Sequence, residues 1–135
     1  MTKRKNIMKD NKSGSALLSD ILTEINQQGN FSIAIITDQN GFPVASAFAP
    51  GEDPNMQSAV VALVQKTAVQ AHDQLGMAQA DEISLFDAEG QRLVCRPFSV
   101  NGYDMILAVR IPDKKQSYRR LTNQAIRDIK KSWRL

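Results

Sequence analysis

The hydrophobic pattern changes period several times along the chain, and each change marks an element. Leu17, Leu18, Ile21, Leu22 and Ile25 recur at i, i+1, i+4, i+5 and i+8, the apolar stripe of a helix packed on a core. Ser15 precedes that stripe as an N-cap, and Gly29 is placed to end the helix in a left-handed conformation. Phe31 to Asp38 reads as a strand. Its Ile33-Ala34-Ile35-Ile36 core is apolar on both faces, which predicts a central strand covered on both sides. Asn40-Gly41 then predicts a hairpin through a type I′ turn, because both residues tolerate positive φ. Phe42 to Phe48 is the returning strand. Pro43 lacks a ladder donor and favours an edge or a strand start.

A long helix follows, from about Pro54 to Leu75, with Asp53 as N-cap and Gly76 as the left-handed residue beyond its end. On a helical wheel, Leu63, Met56, Thr67, Val60, Ala71, Val64, Leu75, Ala68 and Val61 fill an arc of about 160°. A surface helix needs an apolar stripe only a little wider than about 100°. The excess predicts a second contact beyond the helix's own sheet, either within the chain or with a partner helix. Ala68 and Ala71 are small enough to let that contact come close.

Three more strands are predicted at Asp81 to Asp87, Gln91 to Phe98 and Tyr103 to Ile111, with turns at Ala88-Glu89-Gly90 and Asn101-Gly102. The last strand is again apolar on both faces. Tyr118, Leu121, Ala125, Ile126, Ile129 and Trp133 then describe an amphipathic helix from about Lys115 to Trp133, with basic residues elsewhere on its wheel. The order α-β-β-α-β-β-β-α predicts an α+β fold. Its five-stranded antiparallel sheet is sandwiched between helices, the long helix on one face and the two terminal helices on the other.

Charge divides the chain further. The total is +3 over 135 residues, but residues 1–14 carry five basic residues against one acidic, and residues 113–135 carry eight against two. The intervening stretch has four basic and eleven acidic residues. The chain therefore reads as a flexible basic arm over 1–14 followed by one domain over 15–135, an acidic body with a basic end. One cysteine excludes an internal disulfide, and no apolar run approaches the roughly 20 residues of a membrane span. The default is a soluble, cytoplasmic protein. The eight aromatics do not interleave with basic positions, so nucleic acid is not the favoured partner. Nor is a membrane favoured, because the apolar side of the final helix is better used covering the sheet.

Candidate chemistry is sparse. There is no phosphate-binding Gly-x-x-x-x-Gly-Lys motif, no nucleophile elbow and no zinc-binding His-Glu-x-x-His. His72, the only histidine, lacks an obvious second member, and Cys95 reads as a small buried hydrophobe in a strand. Glu52-Asp53 is explained by helix capping, and Asp81-Glu82 by a solvated strand start. Met56, Met77 and Met105 read as core filling. No catalytic residue, metal or cofactor is expected.

Several stretches in order resemble the roadblock / dynein light chain family. Leu22-Thr23-Glu24-Ile25 precedes the first strand. Asp38-Gln39-Asn40-Gly41-Phe42-Pro43-Val44-Ala45-Ser46 is similar to the family's hairpin. The long helix ends in Leu75-Gly76, Glu82-Ile83-Ser84-Leu85 precedes the next hairpin, and Leu107-Ala108-Val109 lies in the last strand. The resemblance spans about residues 16–133. It implies a roadblock/profilin-like fold and a non-enzymatic dimer of the prokaryotic GTPase-regulator type, formed with itself or a related roadblock chain. Such a scaffold regulates a Ras-like small GTPase; the alternatives are an assembly subunit of a motor or signalling complex, or a nucleic-acid-associated module using the basic ends. By position, the mate-facing strand would be Asp81 to Asp87, with Ile83, Ser84 and Leu85. The mate-facing helix side would include Val61, Val64, Ala68 and His72.

Overall fold

The computed structural model describes residues 14–48, 50–51, 54–113 and 115–133. Helix α1 (Gly14–Gly29) leads into strands β1 (Ile33–Asp38) and β2 (Pro43–Phe48). The long helix α2 (Pro54–Leu75) is followed by β3 (Ile83–Phe86), β4 (Arg92–Val100) and β5 (Tyr103–Ile111), and the fold ends in α3 (Arg119–Ser132). The sheet order is β2-β1-β5-β4-β3, and all four pairings are antiparallel. The two strands read as doubly covered, β1 and β5, lie side by side in the middle. Alternate side chains along each strand point to opposite faces. Ala34, Ile36, Val94, Leu107 and Val109 pack with α1 and α3, against Leu18, Leu22, Ala125 and Ile129. Ile35, Cys95, Ile106 and Ala108 form a smaller core with Val61 of α2.

The two hairpins before β2 and before β4 share one design. In each, an aspartate closes a three-residue loop that ends in a left-handed glycine. Asp38 N–H donates to the Phe42 carbonyl at 3.0 Å, and Asp87 N–H to the Gln91 carbonyl at 3.0 Å. Asp38 Oδ1 accepts the Asn40 and Phe42 N–H groups, and Asp87 Oδ1 accepts those of Glu89 and Gln91. Gly41 (φ 89°) and Gly90 (φ 89°) take the left-handed place. The type I′ expectation at Asn40-Gly41 is thus corrected: the aspartate's side chain captures the turn and holds the loop at three residues. Asn101-Gly102 does form the two-residue turn, with positive φ at both residues.

Gly29 is likewise not the left-handed residue. That is Asn30 (φ 52°), while Gly29 is required because a Cβ there would lie 2.4 Å from the Phe31 ring. Ser15 already lies within α1, which is helical from the first described residue, Gly14. The final helix starts later than its periodicity suggests, because Asp113 organises a turn with the Lys115 and Gln116 N–H groups. Met105 fills the core as expected, whereas Met77 is largely exposed in the loop after α2. The side chain of Met56, the Glu52-Asp53 cap and the arm over residues 1–13 lie outside the described residues.

Candidate functional site

Helix α2 turns its apolar arc away from its own sheet. The line it lays on the sheet runs through Ser58, Val61 and Gln65, two of the three polar. Val61 is 1% exposed and sits in the smaller core. Burial then fades along the helix: Ala68 is half-buried and His72 is exposed. The centre of the apolar arc lies about 100° round the helix from this line. There Leu63 is 66% and Leu75 75% exposed, with Val60 also exposed and Val64 and Ala71 half-buried. Only Lys66 and Asp73 carry formal charges in the whole 22-residue helix. An outer helix face with so few charges and so many aliphatic side chains is the composition of a covered surface.

Val64 of that arc packs against the same small core that Ile83 and Leu93 cover from the β3 side. Strand β3 hydrogen-bonds β4 on one side and, among the described residues, has no neighbour on the other. Ile83 lies opposite Cys95 and Leu85 opposite Leu93, so both point to the α2 face of the sheet. Leu85 is nevertheless 59% exposed, because α2 covers β1 and β2 and stops short of it. The apolar side of α2 and the outer edge of β3 thus lie on the same face of the sheet.

The other face of the same edge is held by a polar clasp. Arg119, at the start of α3, donates to Asp81 Oδ2 at 2.7 Å and to Glu82 Oε1 at 2.6 Å. Glu82 Oε2 accepts the Tyr118 hydroxyl at 2.5 Å and the Ser84 hydroxyl at 2.9 Å. Buried Arg96 donates to the Asp81 carbonyl at 3.2 Å and to Thr122 Oγ1 at 2.9 Å. The Arg92 guanidinium lies between the Phe86 and Tyr118 rings, 5.0 and 4.6 Å from their centres. Hydrogen bonds and charge from Arg119 hold the Asp81 carboxyl below its ordinary range. Partial burial pushes Glu82 up, but its bonds from Tyr118, Ser84 and Arg119 outweigh this and lower it. Burial and the bond to Glu82 raise the Tyr118 phenol. Asp81 is solvent-exposed at the strand start, as the sequence suggests, but Glu82 is largely covered, and the pair also fastens β3 to α3. Sequence spacing gives no sign of it, because Arg119 lies 37 residues from Glu82.

Solved structures share this fold nearly end to end. Myxococcus xanthus MglB superimposes with a TM-score of 0.72 at 17% identity, covering 89% of this chain and 90% of that one. The gliding protein MglB of Thermus thermophilus gives 0.68 at 16% identity, with 90% and 91% covered. A roadblock/LC7 domain from Streptomyces avermitilis gives 0.65 at 10% identity, with 84% and 92% covered. The chain has the roadblock fold. No protein-family profile and no curated protein matches the sequence.

Within this roadblock fold, the residues singled out from sequence separate into three groups. Val64 and Ile83 are half-buried against the smaller core, Leu85 is exposed on the same face of β3, and Ala68 is half-buried on α2. Val61 is spent inside the protomer, and Ser84 points to the opposite face, into the clasp. His72 is exposed near the end of α2, where its Nδ1 bonds the Met77 carbonyl at 2.6 Å. Leu63 and Leu75, the most exposed apolar side chains of the helix arc, were within reach of the wheel but not of the resemblance. Cys95 is buried, and desolvation pushes its thiol up to about 12, far from a nucleophile's range. Among the described residues, no helix is long and apolar enough to cross a membrane.

Proposed function

We propose that this chain works as a pair of copies joined through β3 and the apolar side of α2. In this reading the pair is a non-catalytic, cytoplasmic scaffold of the MglB type that binds and regulates a Ras-like small GTPase. One observation carries the pairing: α2 rests on its own sheet through Ser58, Val61 and Gln65 and leaves its aliphatic arc uncovered on the face of the sheet where β3 ends in an edge with no strand partner among the described residues. A second copy supplies both missing partners, a strand for the edge and a helix for the arc. A two-fold axis normal to the sheet keeps both α2 helices on one face.

Register follows from parity. Residues directly opposite in an antiparallel pair point to the same face, so odd positions of β3 meet odd positions of the mate. Centring the axis on Ser84 sets Ile83 against Leu85 of the second copy. Centring it on Leu85 would set Ile83 against Asp87. The first register joins apolar to apolar and is the one we favour.

The regulatory half rests on the likeness to MglB and on the roadblock resemblance. A continuous surface built from two α2 helices would hold a GTPase and order its switch loops. An arginine finger is not part of the proposal. Arg96 is held by Thr122, Arg110 by Gln91, Arg119 by the Asp81–Glu82 pair, and Arg92 between two rings. The test is a pull-down of a Ras-like GTPase loaded with GDP or with a non-hydrolysable GTP analogue, together with its hydrolysis rate. Failure of both states to bind, with hydrolysis unchanged, overturns the GTPase reading. Pairing is judged separately, by sedimentation.

A further inference from the structure

Beneath the outer half of α2 the sheet is not covered. Burial fades from Val61 to His72, and a cleft of about 320 Å³ opens between the helix, the loop after it and the ends of β4 and β5. This cleft lies beneath α2, on the side away from Leu63, and shares only Ala68 with the apolar pairing surface. Its polar lining favours donors in a ligand. Gln65 Oε1 is buried there with no hydrogen-bond partner. Asp104 lines the cleft, one carboxylate oxygen accepting the Ser99 hydroxyl at 2.6 Å. His72 also lines it. Its Nδ1 faces a carbonyl, which only accepts, so Nδ1 carries the proton and Nε2 is an acceptor when the ring is neutral. No lysine or arginine is among the lining residues. An acceptor-rich cleft with one carboxylate and no cation fits an ammonium or guanidinium group.

The chain itself supplies such groups within its own reach. Residues 1–13 lie outside the described residues and carry Lys3, Arg4, Lys5, Lys9 and Lys12 against Asp10. They join the fold at Gly14. Helix α1 ends in a short turn into β1, and Asn26 near its end bonds the Ala47 carbonyl beside Ala34, at the start of β1. So α1 runs back along the face of the sheet opposite α2, and Gly14 lies toward the end where β1 finishes and β5 begins, from which the arm would pass round the sheet to the cleft. That is the end holding Gln39 and Asp104 of the cleft. Twelve extended residues reach about 40 Å, several times the roughly 10 Å between packed layers.

The geometry points to the cleft under α2 as the docking site of the chain's own basic arm, with a lysine or arginine of the arm received by Gln65, His72 and Asp104. The contact would wedge the arm beneath the half of α2 that the sheet leaves unsupported. It exists within one copy and does not rest on the pairing.

The test uses the full chain, uniformly ¹⁵N-labelled, with Cys95→Ala and a nitroxide on Lys5→Cys. Broadening of the Gln65, His72, Ser99 and Asp104 amides is expected, with loss of that broadening in about 0.5 M NaCl as the charges are screened. Asp104→Asn should at least halve the effect. Should that variant lose its dispersed amide spectrum, Gln65→Leu serves instead, since it removes the unpartnered acceptor. Broadening confined to Asp20 and Glu24 on α1, broadening spread evenly over the surface, or broadening untouched by both substitutions would each overturn the assignment. So would an arm that shows no proximity to the fold and instead binds anionic vesicles or duplex DNA.

Discussion

Leu85→Ala puts the pairing surface to a quantitative test. Leu85 is 59% exposed in the single copy, so truncating it should leave the protomer's own stability nearly intact. Pairing through β3 would bury the remaining exposed part. Full burial of a leucine contributes about 1.5–3 kcal/mol, so the exposed fraction contributes about 1–2 kcal/mol per copy. Both copies lose it, which amounts to about 2–4 kcal/mol for the pair, or roughly a 30- to 1,000-fold rise in the dissociation constant. Sedimentation equilibrium over a wide concentration range measures this directly. Phe42→Ala is the control, because Phe42 is 68% exposed but sits by the β1–β2 turn, away from the surface. A dissociation constant for Leu85→Ala within threefold of the wild type, or an equal loss with Phe42→Ala, would refute the reasoning. A wild type that remains monomeric at micromolar concentration would refute the pairing itself.

Register has its own assay: with Cys95→Ala, Ser84→Cys should form a disulfide between copies under mild oxidation, while Leu85→Cys should form little. Gly41→Ala should destabilise the fold by about 1–3 kcal/mol in chemical denaturation, because Gly41 has φ 89° and an added Cβ would lie 2.6 Å from the Ala62 methyl. Ala62→Gly in the same chain should recover the steric part only. The clasp predicts an acid-sensitive stability. The Asp81 and Glu82 carboxyls titrate lower folded than unfolded, so their contribution is complete above the ordinary carboxylate range, about pH 4 to 5, and is lost as the pH falls through their depressed values. Arg119→Gln should therefore lower the denaturation midpoint at pH 7 and make little difference near pH 2. Cys95 should resist thiol reagents in the native protein and react only on unfolding, since it is buried and its thiol titrates at about 12.

Much of this fold is legible in the chain because its signals are local. Five strands and three helices follow from side-chain period, and the doubly apolar runs at Ile33–Ile36 and Met105–Val109 mark the strands that end up side by side at the sheet's centre. The breadth of the apolar arc on α2 is also a sequence fact, and it predicts that one sheet is not enough to cover the helix. What the sequence by itself could not decide is which part of that arc the sheet would use. Only the packed structure shows the helix resting on Ser58, Val61 and Gln65, with Gly41 close against Ser58 and Ala62. Val61 thereby leaves the candidate surface, and Leu63 and Leu75 enter it. The turn at Asp38 departs from its sequence signal for a related reason: a side chain competing for backbone N–H groups outweighs the preference of an Asn-Gly pair. The clasp from Arg119 to Asp81 and Glu82, and the cleft that gathers Gln65, His72 and Asp104, join residues far apart in the chain. Period and spacing carry no record of such contacts, so only the tertiary structure could bring them together.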